Sequence, residues 1–313
     1  MVAVLAGGTG GAKLARGMLD AAGPDRLAVI ANTADDCEMY GVHVAPDPDL
    51  VTYWLADAID ERGYGIAGDT WEVMGALEAA GREAWFRLGD RDLAMCLIRT
   101  ELMGAGERLT PAHAAVVRAM GVEALVLPMS DEPVRTFVRT ADELRPFQEF
   151  MIVDRARAPI DSVELRGIEA AEPTPEVLGA IESAEAIVIG PSNPVISIGP
   201  ILALPGMRDA LRAADAPVVA VSPFVGGHAV KGPTEPFMEH AGLPLGPAGV
   251  LAAYGDVLDG IVSDEALDGA PVPVLVTDTL MDDAAARRRV ATETLEFARK
   301  VSPDGRSAAP DRR

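Results

Sequence analysis

Ala186-Ile187-Val188-Ile189-Gly190-Pro191-Ser192-Asn193-Pro194-Val195-Ile196-Ser197-Ile198-Gly199-Pro200 opens with an apolar run and turns abruptly polar. The run Ala186 to Gly190 reads as a buried strand, and the Ser-Asn-Pro turn with the segment to Met207 reads as a turn entering a helix. A buried strand that delivers a turn to a helix start, at the edge of an α/β sheet, is the geometry in which free backbone N–H groups bind a phosphate. Ser192, Asn193 and Ser197 add side-chain donors to those amides. The same stretch also reads as a Pro-rich crossover loop.

Working outward, Val2 to Leu5 reads as a strand, and Gly7-Gly8-Thr9-Gly10-Gly11-Ala12-Lys13 as a turn into a helix. This is not a dinucleotide fingerprint, because Lys13 stands where its third glycine belongs. It is not a P-loop either, because Ala12 and Leu14 stand where Gly and Ser/Thr belong. Small residues at Gly8, Thr9, Gly10 and Gly11 still let a phosphate approach the backbone, and Lys13 offers a point charge. A tight structural turn is the alternative.

A second strand, Leu27 to Ala31, ends in Asn32-Thr33-Ala34-Asp35-Asp36. Two carboxylates at a strand end, in a chain with no Cys/His ligand cluster, suggest a hard cation such as Mg2+, with Asp35 and Asp36 as ligands. Capping or a solvated acidic turn is the plain alternative. Pro46-Asp47-Pro48-Asp49 precedes a helical segment, where either acid suits an N-terminal cap. In Arg87-Leu88-Gly89-Asp90-Arg91-Asp92 and the helix beyond, Arg91, Met95 and Arg99 share a face, so Arg91 and Arg99 could hold a common anion. Phe224, in the turn after Val218 to Val221, either stacks on a planar ring or packs in the core. The four histidines lack metal or triad spacing.

The elements alternate between strand and helix, which predicts a Rossmann-like three-layer α/β sandwich with a mostly parallel sheet. Short alternating runs from Val134 to Val163 predict a small α+β insertion. The expected organisation is one domain over residues 1–300, with a disordered tail over 301–313 rich in Pro, Ser, Asp and Arg. Cys37 and Cys96, the two cysteines, read as buried thiols rather than a disulfide framework. The chain runs straight into its first strand without a basic lead, so no secretory signal is expected and the expected location is cytoplasmic. Ala186 to Met207 is uncharged, but Pro191, Pro194, Pro200 and Pro205 break it, against a membrane span. With 48 acidic and 27 basic residues the net charge is −21, which opposes nucleic-acid binding and leaves Lys13, Arg87, Arg91, Arg99 and Lys231 to invert the field locally.

Six ordered blocks together resemble the 2-phospho-L-lactate transferases of deazaflavin coenzyme F420 biosynthesis. They are Gly7 to Lys13, Asn32 to Asp36, Pro46 to Asp49, Leu88 to Asp92, Leu127-Pro128-Met129-Ser130-Asp131, and Pro191 to Pro194 with Ser197 to Pro200. The resemblance covers nearly the whole chain. It implies a phosphotransferase for substituted phosphate groups, moving a phosphorylated three-carbon acid from its guanosine diphosphate ester to the ribityl hydroxyl of the deazaflavin Fo and releasing GMP. The acid is 2-phospho-L-lactate, phosphoenolpyruvate or phosphoglycerate. Carried over by position, Asp49 and Arg87 bind Fo, with Asn32 beside them, and Asp35 is a metal-binding carboxylate. On this reading Asp49 and Asp35 are the catalytic acids, Asp49 being either a ligand or the base for the hydroxyl. Gly8 to Gly11, Lys13, Arg91, Ser192 and Asn193 take the nucleotide phosphates, and the family suggests a homodimer. Two rival readings are a nucleotide- or nucleotide-sugar-binding regulator of related fold and a nicotinamide oxidoreductase, the latter opposed by Lys13.

Overall fold

A computed structural model describes residues 1–141 and 143–301. Its centre is a seven-stranded sheet, every pairing parallel, with the strand order β14-β13-β10-β9-β1-β2-β5. The seven are β1 (Val2–Ala6), β2 (Leu27–Ala31), β5 (Leu125–Pro128), β9 (Ala186–Ile189), β10 (Val218–Val221), β13 (Gly260–Ser263) and β14 (Val274–Val276). Short hairpin strands β3 (Cys37–Met39) and β4 (Val42–Val44) follow β2. A three-stranded antiparallel sheet of β6 (Arg135–Arg139), β7 (Leu144–Pro146) and β8 (Ser162–Arg166), order β7-β6-β8, follows β5. The strands β11 (Phe224–Val225) and β12 (His228–Ala229) form a last small hairpin.

Eleven helices are defined among the described residues: α1 (Gly8–Ala22), α2 (Pro46–Leu55), α3 (Glu72–Ala79), α4 (Asp90–Gly104), α5 (Leu109–Ala119), α6 (Pro175–Glu182), α7 (Gly199–Ala203), α8 (Met207–Ala213), α9 (Thr234–His240), α10 (Pro247–Tyr254) and α11 (Ala284–Ala298). Alternate strand residues feed opposite layers, as the two-residue side-chain period of a strand requires. Val2, Val4 and Ala6, with Leu27, Val29 and Ala31, join one core with residues of α1, α2, α5 and α11. Ala3, Leu5, Ala28 and Ile30 join the other with α6, α7, α8 and α10. The arrangement is the expected α/β three-layer sandwich. Among the described residues no helix is long and apolar enough to cross a membrane. Val301 lies partly buried against the first of these cores; the rest of the expected tail, 302–313, falls outside the described residues.

β1 is the point at which strand order reverses: β2 and β5 continue to one side of it, β9 and the rest to the other. Loops after strands on either side of such a point diverge and leave a crevice. The turns after β1 and β9 meet there, and the glycines show how tightly. A Cβ at Gly10 would stand 2.0 Å from the Pro191 carbonyl oxygen, and one at Gly11 2.7 Å from Ser192 Oγ. The glycine run is therefore smooth chiefly because the Ser-Asn-Pro turn rests on it.

Candidate functional site

Four carboxylates, Asp35, Asp36, Asp47 and Asp49, are buried at this rim with at most 8% exposure each. Their partners divide them into two kinds. Asp36 accepts from His43 Nε2 at 3.0 Å, and Glu38 holds the other ring nitrogen at 3.0 Å. Burial opposes a charged His43, but the hydrogen bond and charge of Asp36 outweigh it and raise the imidazole pKa. Asp49 receives both terminal nitrogens of Arg99, at 2.7 and 2.8 Å, and Arg99 also donates to the His43 carbonyl. Arg99 is fully buried, so this is a bidentate pair inside the molecule.

Asp35 and Asp47 are different. Neither has a Lys or Arg within ion-pair distance among the described residues. Asp47 accepts the Gly8 amide at 2.6 Å and Asn32 Nδ2 at 2.9 Å. Asp35 has Thr136 Oγ1 at 3.5 Å and its carbonyl takes Gln148 Nε2. Burial, then the charges of Asp47 and Asp36, push the Asp35 carboxyl well above its usual range. Burial raises Asp47 to about 6 against its two hydrogen bonds. Buried carboxylates crowded together without a basic partner are short of a cation.

Of the expected metal-ligand pair, Asp35 has no basic partner, and Asp36 gives one oxygen to His43 while its Oδ1 is buried with no partner among the described residues; the charge of Asp47 also bears on Asp35. Helix geometry explains why Asp47, read as a cap, joins them. In the first turn of α2, positions two apart point to different sides, so Asp47 meets the glycine turn while Asp49 meets α4. Asn32 spends its amide on Asp47 and on the Ala34 N–H, so it orients an acid instead of facing a ligand. The Gly8 amide, expected to bind phosphate, is held by Asp47. Arg91 and Arg99 do not share an anion: Arg91 is exposed and donates to the Ala67 carbonyl, while Arg99 is buried on Asp49. Asp49, with both oxygens on Arg99, ties α2 to α4 and is not placed as a free base. Arg87 is exposed, pairs with Glu78 at 2.9 Å and lies 5.3 Å from the Trp71 ring centre.

In the Ser-Asn-Pro turn, Asn193 Oδ1 accepts from the Val195 and Ile196 amides. Its Nδ2 is buried with no partner among the described residues. Ser192 Oγ accepts from the Gly7 N–H at 3.4 Å. A cavity of about 260 Å3 opens beside Asp35, lined also by Arg135, Thr136, Phe147 and Gln148 from the antiparallel sheet and the turn after it. Sequence reading missed these residues because the alternating runs from Val134 to Val163 signal an insertion but not that it folds back onto the loop after β2. Phe224 is fully buried and packs in the core. Burial raises the Cys37 thiol to about 12, which leaves it a poor nucleophile. Among the described residues one acid and thiol cluster has ligand-like spacing, Asp49, Asp92 and Cys96. Arg99 touches both Asp49 and Cys96 Sγ, so that cluster already has its cation.

Several motif residues are structural. Asp69 accepts the Arg91 and Asp92 amides at the start of α4, and Asp90 accepts the Glu72 and Val73 amides at the start of α3. The two helices cap each other. Asp131 does the same for α5 through the amide and hydroxyl of Thr110.

Fold and rim together define an α/β protein with an acidic, donor-lined crevice at the switch point of a parallel sheet. The chain belongs to the 2-phospho-L-lactate transferase CofD family, whose model matches residues 2–305. It is 38% identical over 315 residues to a phosphoenolpyruvate transferase of Kitasatospora aureofaciens, covering 96% of this chain and 98% of that one. It is 40% identical to a 2-phospho-L-lactate transferase of Methanosarcina mazei, covering 84% of this chain and 86% of the relative. A 2-phospho-L-lactate transferase of Methanothermobacter thermautotrophicus is 42% identical, with 85% of each chain covered. A UPF0052 family crystal structure from Bacillus halodurans superposes with a TM-score of 0.56 at 19% identity, over 95% of this chain and 97% of that one, and shares the fold. The family is one of transferases in F420 biosynthesis.

Proposed function

We propose that the chain transfers a phosphorylated three-carbon acid from its guanosine diphosphate ester to the ribityl hydroxyl of Fo, with GMP leaving. The observations that carry this reading are the buried carboxylates Asp35 and Asp47, lacking a basic partner among the described residues, and the orphaned Nδ2 of Asn193 in the turn that rests on the glycine run. Transfer of a substituted phosphoryl group depends on positioning and charge stabilisation more than on a strong nucleophile. Carboxylates, oriented amides and a few cations meet that need.

Asp35 and Asp47 fit a magnesium ion, since buried hard oxygen donors without a basic partner gain from a divalent cation. Bound there, the ion would neutralise charge developing on the diphosphate oxygens. Asn32 and the Gly8 amide hold Asp47 in place. Asn193 Nδ2 donates to the nucleotide half of the donor, and Arg135 in the neighbouring cavity supplies a guanidinium for the acid. The relatives carry names of two kinds, phosphoenolpyruvate and 2-phospho-L-lactate transferase, so the acid is one of these or phosphoglycerate. The resemblance suggests that the enzyme works as a homodimer, and the composition suits the cytoplasm.

The test is an assay with purified Fo and each guanylated acid, following GMP release with Mg2+ or excess chelator. Turnover is expected with one acid and to vanish in chelator. Asp35→Asn and Asp47→Asn should each lower kcat by about two decades or more, if the ion supplies several kcal/mol at the transition state. They should also abolish the rise in Tm that Mg2+ gives the unmodified protein. Full turnover in chelator, or a Mg2+ shift retained in both variants, overturns the assignment.

A further inference from the structure

β2 and β5 are neighbours in the sheet, so the chain that leaves β5 runs past the loop that leaves β2. The ladder of β2 with both its neighbours ends at Ala31, and the carbonyls of Ala34 and Asp35 lie beyond it. Main-chain acceptors near a buried rim need partners from elsewhere, and the insertion supplies them. The Thr136 N–H, on β6, donates to the Ala34 carbonyl at 2.7 Å, and its hydroxyl stands 3.5 Å from Asp35 Oδ1. After β7 the insertion returns to the same loop, where Gln148 Nε2 donates to the Asp35 carbonyl at 3.0 Å.

An aromatic cluster keeps this grip in place. Phe147 and Phe150, on either side of Gln148 in the chain, have their ring centres 6.4 and 6.1 Å from that of Phe237 on α9. Val138 of β6 joins the same small core, and so does Ile196 from the Ser-Asn-Pro turn. The Ile196 carbonyl is in turn 3.5 Å from Asn32 Nδ2, in the loop that carries Asp35. Gln148 itself is half-buried, so the rings beside it fill the core while its amide is left to the Asp35 carbonyl. The insertion thereby touches the loops after β2 and β9 together.

We infer that Gln148 and Thr136 are positioning residues for Asp35, and that the insertion fixes where this carboxylate stands relative to the Ser-Asn-Pro turn. The bond from Gln148 holds the Asp35 main chain, and the Thr136 hydroxyl holds the rotamer of its side chain. Both act through Asp35. Partners of this kind orient a ligating carboxylate, and their loss costs about ten- to a hundredfold in metal affinity or activity. The inference rests on the cation reading proposed above.

Thermal unfolding titrated with MgCl2, and turnover over the same range of Mg2+, test it in three variants. Gln148→Met keeps the length of the side chain and loses the donor, Thr136→Val keeps the shape and loses the hydroxyl, and Thr136→Ser keeps the hydroxyl. The first two should each raise the Mg2+ concentration at half of the Tm rise, and at half-maximal turnover, about tenfold, with kcat largely recovered at saturating Mg2+. Thr136→Ser should keep the midpoint of the unmodified protein. A merely structural role would lower Tm equally in chelator and in Mg2+ and leave that midpoint unmoved. Because Gln148 is half-buried, its variant carries the test even where loss of the buried Thr136 hydroxyl unfolds the chain. Added to Asp35→Asn, Gln148→Met should lower kcat no further, as expected of residues that act as one unit. A Mg2+ midpoint within about twofold of the unmodified protein in Gln148→Met, below the loss expected of such partners, or a further loss in the double variant, would overturn the inference and leave the cation site standing. Absence of any Mg2+ response in the unmodified protein would overturn the cation reading and this inference with it.

Discussion

Asn193 shows how one residue can serve structure and ligand with different atoms. Its Oδ1 caps its own turn through two backbone amides, while its Nδ2 is left without a partner. Asn193→Asp preserves the acceptor and replaces the spare donor with negative charge. The KM for the guanylated donor should rise about ten- to a hundredfold with Tm and the KM for Fo unchanged; steady-state kinetics with both substrates decides it, and an unchanged donor KM would assign the turn to crossover duty alone. Asp92 illustrates a different residue-scale effect. Burial and the charge of Asp49 raise it to about 7, despite the Tyr53 hydroxyl that donates to it at 2.6 Å. A carboxylate raised in the folded state contributes most below its unfolded pKa, near 4, and that contribution is lost as pH climbs toward 7. Urea unfolding at pH 5 and pH 8 should show the Asp92→Asn variant losing about 2–4 kcal/mol less over this interval than the unmodified protein. Parallel profiles would mean that Asp92 ionises freely.

At the scale of elements, the glycine run at the start of α1 and the turn after β9 are one construction. Gly10 has no room for a Cβ against the Pro191 carbonyl, so Gly10→Ala must displace backbone, the costly kind of overpacking. A loss of about 1–3 kcal/mol is expected from chemical denaturation, together with weaker GDP binding because the Ser192-Asn193 turn moves. Stability within 0.5 kcal/mol of the unmodified protein would show that the two loops do not depend on each other. The helices of the 46–119 segment are organised by buried polar partners. Asp49 and Arg99 lock α2 to α4, and Asp69 and Asp90 exchange caps between the starts of α4 and α3. Thus Leu88-Gly89-Asp90-Arg91-Asp92, which reads as an anion-binding block, serves largely to join two helices. Its glycine has the same steric cause, a Cβ there standing 2.1 Å from Asp69 Oδ2.

The whole molecule carries a charge of −21. Self-repulsion at this charge destabilises the compact state and is screened by salt. Raising NaCl from 10 to 150 mM should therefore lift Tm by a few degrees in calorimetry, and a fall in Tm would show that local ion pairs outweigh the net field. The parallel sheet was legible before any coordinates because strands buried on both faces read as continuous apolar runs, as in Val2 to Ala6 and Ala186 to Ile189. The turns that end them read as phosphate-type sites for the same local reason. The partner of each acid was not legible. Asp35 and Asp36 are neighbours in the chain, yet one lies by Thr136 and the other meets His43; Asp47 and Asp49 begin one helix, yet one holds the glycine turn and the other Arg99. Period and turn chemistry are properties of contiguous residues, so sequence alone determined the strands, the helices and the rim on which a ligand collects. Charge pairing depends on distances between segments far apart in the chain, so only the tertiary structure decided that Arg99 neutralises Asp49, that His43 meets Asp36, and that Asp35 and Asp47 have no basic partner among the described residues.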